Sequence, residues 1–468
     1  MKRLFTTALL AGSLSGMALA QTPEDSVMLR RLFDAEITQG TCYENLRHLC
    51  KDVGHRLSGS PNAAKAVEWA AATMNTMGLD RVEKQPVLVP HWERGKADRA
   101  WYKGKMGKVT PPILALGSSV GTPNGKAISA PVVEVFSLDE VRKMEDGSLK
   151  GKIVFYNRPM NAKELDTFDA YGGCVDQRGG GSVEASKKGA LAVIVRSMTL
   201  QHDDHPHTGN MRNEEGTTKI PAAAISTNGA DRLHEDLKND PNLVFSLQMG
   251  CQTFPDAPSH NVIGEIKGSA LPNEFITVGG HLDSWDVGEG AHDDGTGVVQ
   301  AMEVLKLFRM VGYQPRHTIR AVAFMNEENG MKGGLEYAAQ AKAKGEKHIA
   351  ALESDRGGFS PRGVEIQANP ENTAWSLKYK PLFIPYMVHN IQPGYGGVDI
   401  SPLRAQGAGL YGYLPDSQRY FDFHHAETDV FEAVNERELK LGAWVMAAWI
   451  YLIDQYGLPS NEPYEPPK

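Results

Sequence analysis

Imidazole and carboxylate side chains that could bind a metal recur at five places in the C-terminal half of the chain. In order they are His281 with Asp283, Asp293 with Asp294, Glu327 with Glu328, Glu353 with Asp355, and His424 with His425. Nitrogen and carboxylate ligands without cysteine suit zinc, or less specifically manganese or cobalt. Two ions about 3.5–4 Å apart would need a bridging carboxylate, one imidazole and one carboxylate each, and a free carboxylate as base. This set of side chains supplies that number.

The segments around these residues alternate between strand and helix patterns. Apolar runs predict strands at 275–279, 318–325 and 349–352, and apolar positions on one face predict helices at 298–311 and 334–343. Such alternation favours an α/β fold with a mixed, mostly parallel sheet flanked by helices. The carboxyl ends of parallel strands meet at one edge of the sheet, so the groups that follow them should lie together.

Two other regions precede this pattern. Ser60 followed by Pro61 predicts the start of a helix, and residues 82–89 alternate like a strand. From 109 to 254 the predicted strands are short and are separated by glycine and proline turns, which indicates an inserted β-rich domain. The predicted division is a leader at 1–20, the first part of the main domain at 21–108, the insert at 109–254 and the second part of the main domain at 255–468.

The first twenty residues have the pattern of a signal peptide. Lys2 and Arg3 precede an apolar stretch at 4–14, and the Ala-Leu-Ala sequence at 18–20 fits a cleavage site after Ala20. The apolar run at 441–453 is too short to cross about 30 Å of hydrocarbon. We therefore expect an exported protein, periplasmic or secreted, that has no membrane partner.

Composition and charge narrow the class further. The 468 residues are 41% hydrophobic and 23% charged, which excludes a disordered or fibrous protein. The net charge of -8 and the lack of a basic run argue against a nucleic-acid partner. The four cysteines, none in a C-x-x-C pair, argue against a thiolate zinc site, and Cys42 and Cys50 are close enough in sequence for a local disulfide.

Four segments resemble the co-catalytic dizinc exopeptidases, a family that includes bacterial leucyl aminopeptidases and plasma glutamate carboxypeptidase. They are GGHLDSWDVGEGAHDDGTG at 279–297, FMNEENGMKGG at 324–334, LESDRGGF at 352–359 and FHHAETD at 423–429. HRLSGSP at 55–61, VPHWERG at 89–95 and HLDSWDVG at 281–288 are similar to the plasma glutamate carboxypeptidase branch. The middle block, with GALAVIV at 189–195 and IPAAAIS at 220–226, resembles the protease-associated insert of that branch.

The resemblance implies a zinc exopeptidase fold with two zinc ions per chain. His281 and Asp355 would bind one ion, Glu328 and His425 the other, and Asp293 would bridge them. His425 is preferred to His424 because the family ligand stands four residues before an aspartate. The family also holds the peptide bond after the bridging aspartate in the cis form.

Two more residues receive catalytic roles. The resemblance makes Glu327 the general base, which takes a proton from the attacking water and passes it to the leaving amine. Asp283, two residues after His281 on a strand, would point the same way and could accept the second imidazole N–H, which would fix the tautomer.

The expected activity is hydrolysis of dipeptides or short unblocked peptides. The branch favours a carboxypeptidase or dipeptidase, and a zinc aminopeptidase is the alternative. A single-zinc glutaminyl cyclase and a binding protein without activity are further alternatives, although both would require ligands to be lost. Members of this branch also suggest a homodimer.

Three other motifs are interpreted as structural. The G-x-S-x-G sequence at 117–121 precedes a turn rather than a helix, so we expect a glycine-rich loop and no serine nucleophile. The His and Asp cluster at 202–207 is expected to be a solvated loop. His292 and His424 are expected to support the site or face the substrate, without being ligands.

Overall fold

Two eight-stranded sheets form the frame of the protein in a computed structural model that describes residues 23–96 and 98–465. The predicted leader at 1–20 lies outside the described residues. Along the described ranges, no helix combines the length and the apolar character needed to cross a bilayer.

The strands of the described chain are β1 Arg81–Glu93, β2 Arg99–Gly104, β3 Gly107–Val109, β4 Ile113–Ala115, β5 Ile128–Val135, β6 Ile153–Tyr156, β7 Ala192–Arg196, β8 Ala222–Ile225, β9 Val244–Gln248, β10 Gln252–Ile266, β11 Leu271–His281, β12 His317–Phe324, β13 Lys347–Glu353, β14 Pro361–Gln367, β15 Asn390–Pro393 and β16 Gly409–Pro415. Its α-helices are α1 Pro23–Gln39, α2 Cys42–His48, α3 Pro61–Asn75, α4 Leu138–Arg142, α5 Thr167–Gly172, α6 Asp176–Lys187, α7 Thr227–Asn239, α8 Thr296–Met310, α9 Lys332–Lys344, α10 Pro370–Leu377, α11 Lys380–Phe383 and α12 Glu436–Tyr456.

The main sheet has the strand order β1-β10-β12-β11-β13-β16-β14-β15. Its four central strands, β12, β11, β13 and β16, are parallel, whereas β1 and β10 are antiparallel additions at one side. This confirms the α/β class and the parallel centre of the sheet. The predicted alternation succeeds here because strands covered on both faces are rich in apolar residues. All eight residues of β12 are buried, and its second half, 321–324, is wholly apolar.

Helices α3 and α12 show how local sequence fixes the ends of elements. The Ser60 side chain accepts a hydrogen bond from the Ala63 amide at 3.1 Å, and Pro61 occupies the first turn, as predicted. Asn435 caps α12 in the same way by accepting from the Glu438 amide at 3.1 Å. The Glu438 carboxylate does not return the bond, because it accepts from the Ser360 hydroxyl instead.

The second sheet has the order β3-β2-β9-β5-β6-β7-β8-β4, with β5 to β8 parallel. Its strands lie between Arg99 and Gln248, and the predicted insert spans 109–254. Helices join several of these strands, so this unit is more helical than the β-rich pattern suggests. The sequence predicts a helix at 181–188, and α6 begins five residues earlier, at Asp176. Gly181 allows this helix to pack closely, since a Cβ there would lie 2.8 Å from the Tyr156 ring.

The two ends of this second unit lie side by side. The chain leaves the main sheet at the end of β1 and returns at the start of β10, where Glu93 pairs with Gln252. The second sheet is therefore an insertion between two paired antiparallel strands. We refer to the segment from 94 to 251 as the insert below.

All four cysteines lie in the described ranges, and all are free and buried. Cys42 and Cys50 share one apolar cluster, while Cys174 and Cys251 belong to two others in the insert. The local disulfide between Cys42 and Cys50 is therefore not formed.

Candidate metal centre

The candidate ligands meet at the carboxyl edge of the central parallel strands. β11 lies between β12 and β13, so His281 at its end pairs with Phe324, and Gly279 pairs with Glu353. The Glu327-Glu328 pair and Asp355 follow directly after the neighbouring strands. Parallel register thus places one imidazole and three carboxylates at one end of the sheet, as the sequence predicts.

Asp293 lies at the centre of this arrangement. Its Oδ1 is 3.2 Å from His281 Nε2, and its Oδ2 is 3.3 Å from His425 Nε2. The peptide bond to Asp294 is cis, as the resemblance implies. Asp429 accepts hydrogen bonds from the amides of His292 and Asp293 at 2.7 and 3.1 Å, and so fixes the backbone that carries the central carboxylate.

Two groups of ligands therefore share one carboxylate. In the first group, His281 Nε2 is also 3.4 Å from Asp355 Oδ1. In the second, His425 Nε2 is also 3.1 Å from Glu328 Oε2. The structure brings together all five residues predicted as ligands, and Asp293 stands between the two pairs. His424 lies beside the second group, with its Nε2 3.9 Å from Asp293 Oδ2.

The hydrogen bonds of the two histidines orient both rings as metal ligands would be oriented. His281 Nδ1 is 3.0 Å from the Asp283 carbonyl, and His425 Nδ1 is 3.2 Å from the Thr208 carbonyl. A carbonyl only accepts, so each Nδ1 carries a proton, and Nε2 is the ring nitrogen that faces the carboxylates and can bind a metal once its own proton is lost. His281 Nε2 and Asp293 Oδ2 are buried without a hydrogen-bond partner. Imidazole nitrogens and carboxylate oxygens that converge in this way are ligands that suit divalent cations such as zinc.

The charges at the site shift the pKa values of its groups. Burial alone would lower the pKa of His425, but the carboxylates of Glu328 and Asp293 raise it to about 9. Burial and the Asp293 carboxylate raise the pKa of Glu328 to about 7. Burial, together with the Asp355 and Glu328 carboxylates, raises the pKa of Glu327 well above its usual value. A site that is costly to ionise in the protein alone would be stabilised by bound cations.

Asp283 has a different role from the one predicted. Its carboxylate Oδ1 is 3.8 Å from His281 Nδ1, beyond hydrogen-bond distance, and the backbone carbonyl of the same residue takes that place. The carboxylate instead accepts from the amides of Asn326 and Glu327 at 2.7 and 3.0 Å. Asp283 therefore positions the loop that carries the candidate base. The predicted alignment with His281 fails because β11 ends at His281, and the chain turns before the two side chains can point the same way.

A cavity of about 230 Å³ opens beside the candidate ligands. Main-domain residues line one side of it, including Glu327 and Asp355, and insert residues line the other, including Tyr171 and Arg178. The insert therefore forms one wall of the candidate active site. Sequence analysis identified none of these insert side chains, because they approach the ligands only through the docking of two separately folded sheets.

Arg56 is another residue that the sequence did not reveal. Its guanidinium is fully buried and donates to the carbonyls of Leu282, Glu289 and Gly290 at 2.6, 2.7 and 2.8 Å. These carbonyls belong to the loop between His281 and Asp293, so Arg56 braces the segment that separates two candidate ligands. Arg56 lies in the segment between α2 and α3, and nothing in that local sequence indicates that its partners are backbone carbonyls more than 220 residues away.

The motifs interpreted as structural show no catalytic contacts. Ser118 of the G-x-S-x-G sequence donates to Asn210 Oδ1 at 2.7 Å. In the 202–207 cluster, His202 lies 3.2 Å from Asp231 and His205 lies 2.7 Å from Glu427, and both histidine side chains are exposed as expected. His207 differs from the expected solvated loop, because it is buried and its Nδ1 lies 2.7 Å from the His424 carbonyl. His292 has both ring nitrogens within hydrogen-bond distance of backbone groups.

Residues 261–450 match peptidase family M28. Carboxypeptidase Q of Homo sapiens is 35% identical over 415 residues, which cover 89% of this chain and 85% of the relative. The solved structure of a peptidase M28 precursor from Shewanella amazonensis SB2B is 35% identical, with a TM-score of 0.88, and the match covers 95% of this chain and 99% of that chain. An aminopeptidase from Aneurinibacillus sp. strain AM-1 is 21% identical with a TM-score of 0.61, over 95% of this chain and 98% of that chain, and shows the same fold.

Proposed function

The chain belongs to peptidase family M28, and from that premise we propose that it is an exported exopeptidase with two zinc ions that hydrolyses dipeptides or short unblocked peptides. Among the possible specificities, we propose that of a carboxypeptidase or dipeptidase. The relatives named carboxypeptidase Q support this choice. The structural observation that supports a carboxypeptidase or dipeptidase is a single guanidinium in the wall of the cavity.

Arg178 is the one lysine or arginine among the described residues that line this cavity. Its side chain is 9% exposed, with Nη1 3.3 Å from the Thr208 carbonyl and Nη2 donating to the Tyr171 hydroxyl. Its Nε is buried and has no hydrogen-bond partner. A guanidinium with donors to spare binds a carboxylate in a two-pronged geometry, so Arg178 would hold the free carboxyl end of a substrate.

Glu327 would move the proton in this reaction. Its amide is fixed by Asp283, and its side chain lines the cavity beside the candidate ligands. When bound, two zinc ions polarise the scissile carbonyl and lower the pKa of a nearby water. The Glu327 carboxylate accepts a proton from the attacking water and donates it to the leaving amine nitrogen. Arg178 fixes the substrate so that its last peptide bond lies within reach.

The specificity is tested with one dipeptide in three forms: free, N-acetylated and C-amidated. We expect cleavage of the free and N-acetylated forms, and a loss of at least about 100-fold in kcat/KM for the amide, because the amide cannot pair with Arg178. Cleavage of the amide with resistance of the acetylated form would make the enzyme an aminopeptidase.

A variant of Arg178 tests whether this residue causes the discrimination against the amide. Arg178→Gln should raise KM for free dipeptides and reduce the discrimination against the amide. Arg142→Gln is the matched control, because Arg142 lies on the surface of the insert and pairs with Asp139 and Glu184. Equal behaviour of the two variants would remove Arg178 from the substrate site.

Metal content and export have separate tests. Elemental analysis of the purified protein should give two zinc ions per chain, and one ion per chain would favour the glutaminyl cyclase alternative. The pattern at 1–20 supports export, and the mature protein should begin at Gln21 when its N-terminus is sequenced.

A further inference from the structure

The two candidate metal positions are supported by different parts of the molecule. His281 is held within the main domain, since its amide donates to Asp294 Oδ2 at 3.0 Å and its Nδ1 to the Asp283 carbonyl. Its neighbour Asp355 follows β13 of the main sheet. The first position therefore has its supports on the main sheet and the loop after it.

The second position depends on the insert. His425 has a φ of +63°, a left-handed conformation that is uncommon for a residue with a side chain. Residues 207 and 208 of the insert lie against it. The Thr208 amide donates to the His425 carbonyl at 3.0 Å, and His425 Nδ1 donates to the Thr208 carbonyl. A strained conformation persists where neighbours hold it, and here the neighbours belong to another unit.

His207 completes this contact. Its Nδ1 donates to the His424 carbonyl at 2.7 Å, so its ring holds the residue that precedes the ligand. The ring is 3% exposed, and its Nε2 has no hydrogen-bond partner. The His207 amide is fixed by Ser197 Oγ at 2.8 Å. The ring therefore makes one hydrogen bond, and that bond is to the backbone that sets the conformation of His425.

The other ligand of the second position also contacts the insert, through a tryptophan. The Trp285 amide donates to Glu328 Oε1 at 3.2 Å, and the Trp285 ring lies 5.6 Å from the His425 ring. The far edge of the Trp285 ring rests on Gly117 of the insert, where an added Cβ would lie 1.9 Å from it. Trp285 belongs to the apolar cluster of the second sheet.

We propose that docking of the insert sets the metal affinity of the second position, the one formed by Glu328 and His425, and that His207 is the positioning residue for it. This rests on the proposed two-zinc function. The first position then binds its ion with an affinity that does not depend on the insert, and the second binds more weakly whenever the contact of 207–208 with 424–425 is loosened.

The test measures zinc affinity by competition with a chromophoric chelator, which reads each binding step without an assay of activity. His207→Phe keeps a flat ring and removes the Nδ1 donor. We expect one binding step to be unchanged and the other to lose about 10–100-fold in affinity, the usual effect of removing a group that orients a ligand. His207→Asn, whose side-chain amide nitrogen can take the place of Nδ1, should recover most of that loss.

His234→Phe is the matched control, because His234 is an insert histidine that pairs with Glu134 and lies away from residues 424–425. It should bind both ions like the unaltered protein. Near-ultraviolet circular dichroism of the metal-free variants checks that each is folded, and His207→Ala, which also removes the Nδ1 donor, serves as the test variant if Phe does not fold.

Three results would contradict the proposal in distinct ways. If His207→Phe binds both ions like the unaltered protein, or loses affinity equally at both steps, the coupling to the insert is wrong and the two-zinc function stands. If the unaltered protein binds one ion, both the coupling and the two-zinc function fail.

Discussion

At the scale of single residues, the site depends on which nitrogen of each histidine is committed to the backbone. His281 and His425 both donate from Nδ1 to a carbonyl, so both present Nε2 toward carboxylates. The carbonyls come from different places, one from the chain just after the ligand and one from the insert. The same ring orientation is thus fixed by a local contact at His281 and by a contact distant in sequence at His425.

Replacement of Glu327 by glutamine should separate catalysis from metal binding. The amide cannot take a proton from water, so kcat should fall by at least about 10³-fold, while KM and zinc content stay near their original values. Single-turnover kinetics and elemental analysis on the same sample give both quantities. Retained turnover would assign the base to another group, and lost zinc would make Glu327 a ligand.

Replacement of Arg56 by methionine should destabilise the protein strongly. Three buried carbonyls would lose their donor, which costs on the order of 3–5 kcal/mol in the free energy of unfolding. Arg309→Met is a suitable control, because Arg309 lies in a partly exposed ion pair with Asp80 and should cost less than about 1 kcal/mol. Urea unfolding measures both, and equal losses would show that the carbonyls find other donors.

The convergence of the candidate ligands could be predicted from sequence, and the residues that support them could not. His281, Glu328 and Asp355 follow apolar strands, and parallel register turns that local pattern into a spatial one. His207 contacts the main domain across the interface between two units, and Arg178 faces it across the cavity, and no spacing in the chain indicates either placement. Asp283 was found but given the wrong partner, since the turn after β11 lies beyond what strand periodicity describes.

At the scale of secondary-structure elements, the N-terminal helix α1 is joined to the main domain by a buried carboxyl pair. Glu36 of α1 is fully buried, and its Oε2 has no hydrogen-bond partner. Burial and the charge of Glu303, on α8, raise the pKa of Glu36 to about 8. Glu303 itself accepts from the amide and hydroxyl of Thr41 at 3.0 and 3.2 Å. The packing of α1 therefore favours a protonated Glu36.

This pair should make the stability of the protein fall as pH rises. The folded pKa is above the unfolded one, so the stabilising contribution is complete below about pH 4.5 and is lost progressively up to about pH 8. The slope is at most about 1.4 kcal/mol per pH unit. In Glu36→Gln this part of the pH dependence should disappear from thermal unfolding measured between pH 5 and pH 9.

The control for that experiment is Glu68→Gln, an exposed carboxylate that pairs with Lys84. It should follow the pH profile of the unaltered protein. If Glu36→Gln also followed that profile, the buried pair would not govern the docking of α1.

At the scale of the whole molecule, one site is built from two units that share an interface. Trp285 of the main domain packs in the apolar cluster of the insert, and insert residues line the cavity beside the candidate ligands. The insert in turn begins and ends on the paired strands β1 and β10. Movement of one unit against the other would therefore alter the cavity and the second metal position together.

Removal of metal should lower the thermal stability of the whole chain. Without cations, the neighbouring carboxylates of Asp293, Glu328 and Asp355 repel one another, whereas an ion present at 100 times its dissociation constant adds about 2.7 kcal/mol. Calorimetry with and without a chelator should show a lower Tm in the chelated sample, restored by zinc and not by magnesium. An unchanged Tm in the chelated sample would show that bound metal does not stabilise the fold.

The reactivity of the four buried thiols can report which part of the molecule unfolds first. Burial raises the pKa of Cys50 to about 12 and those of Cys174 and Cys251 to about 11, so each sulfur is both shielded and unreactive while its cluster is packed. Alkylation followed by peptide mapping would mark each cysteine only after its own cluster has opened. The order of labelling would then show which of the three cysteine-containing clusters unfolds first under heat or denaturant.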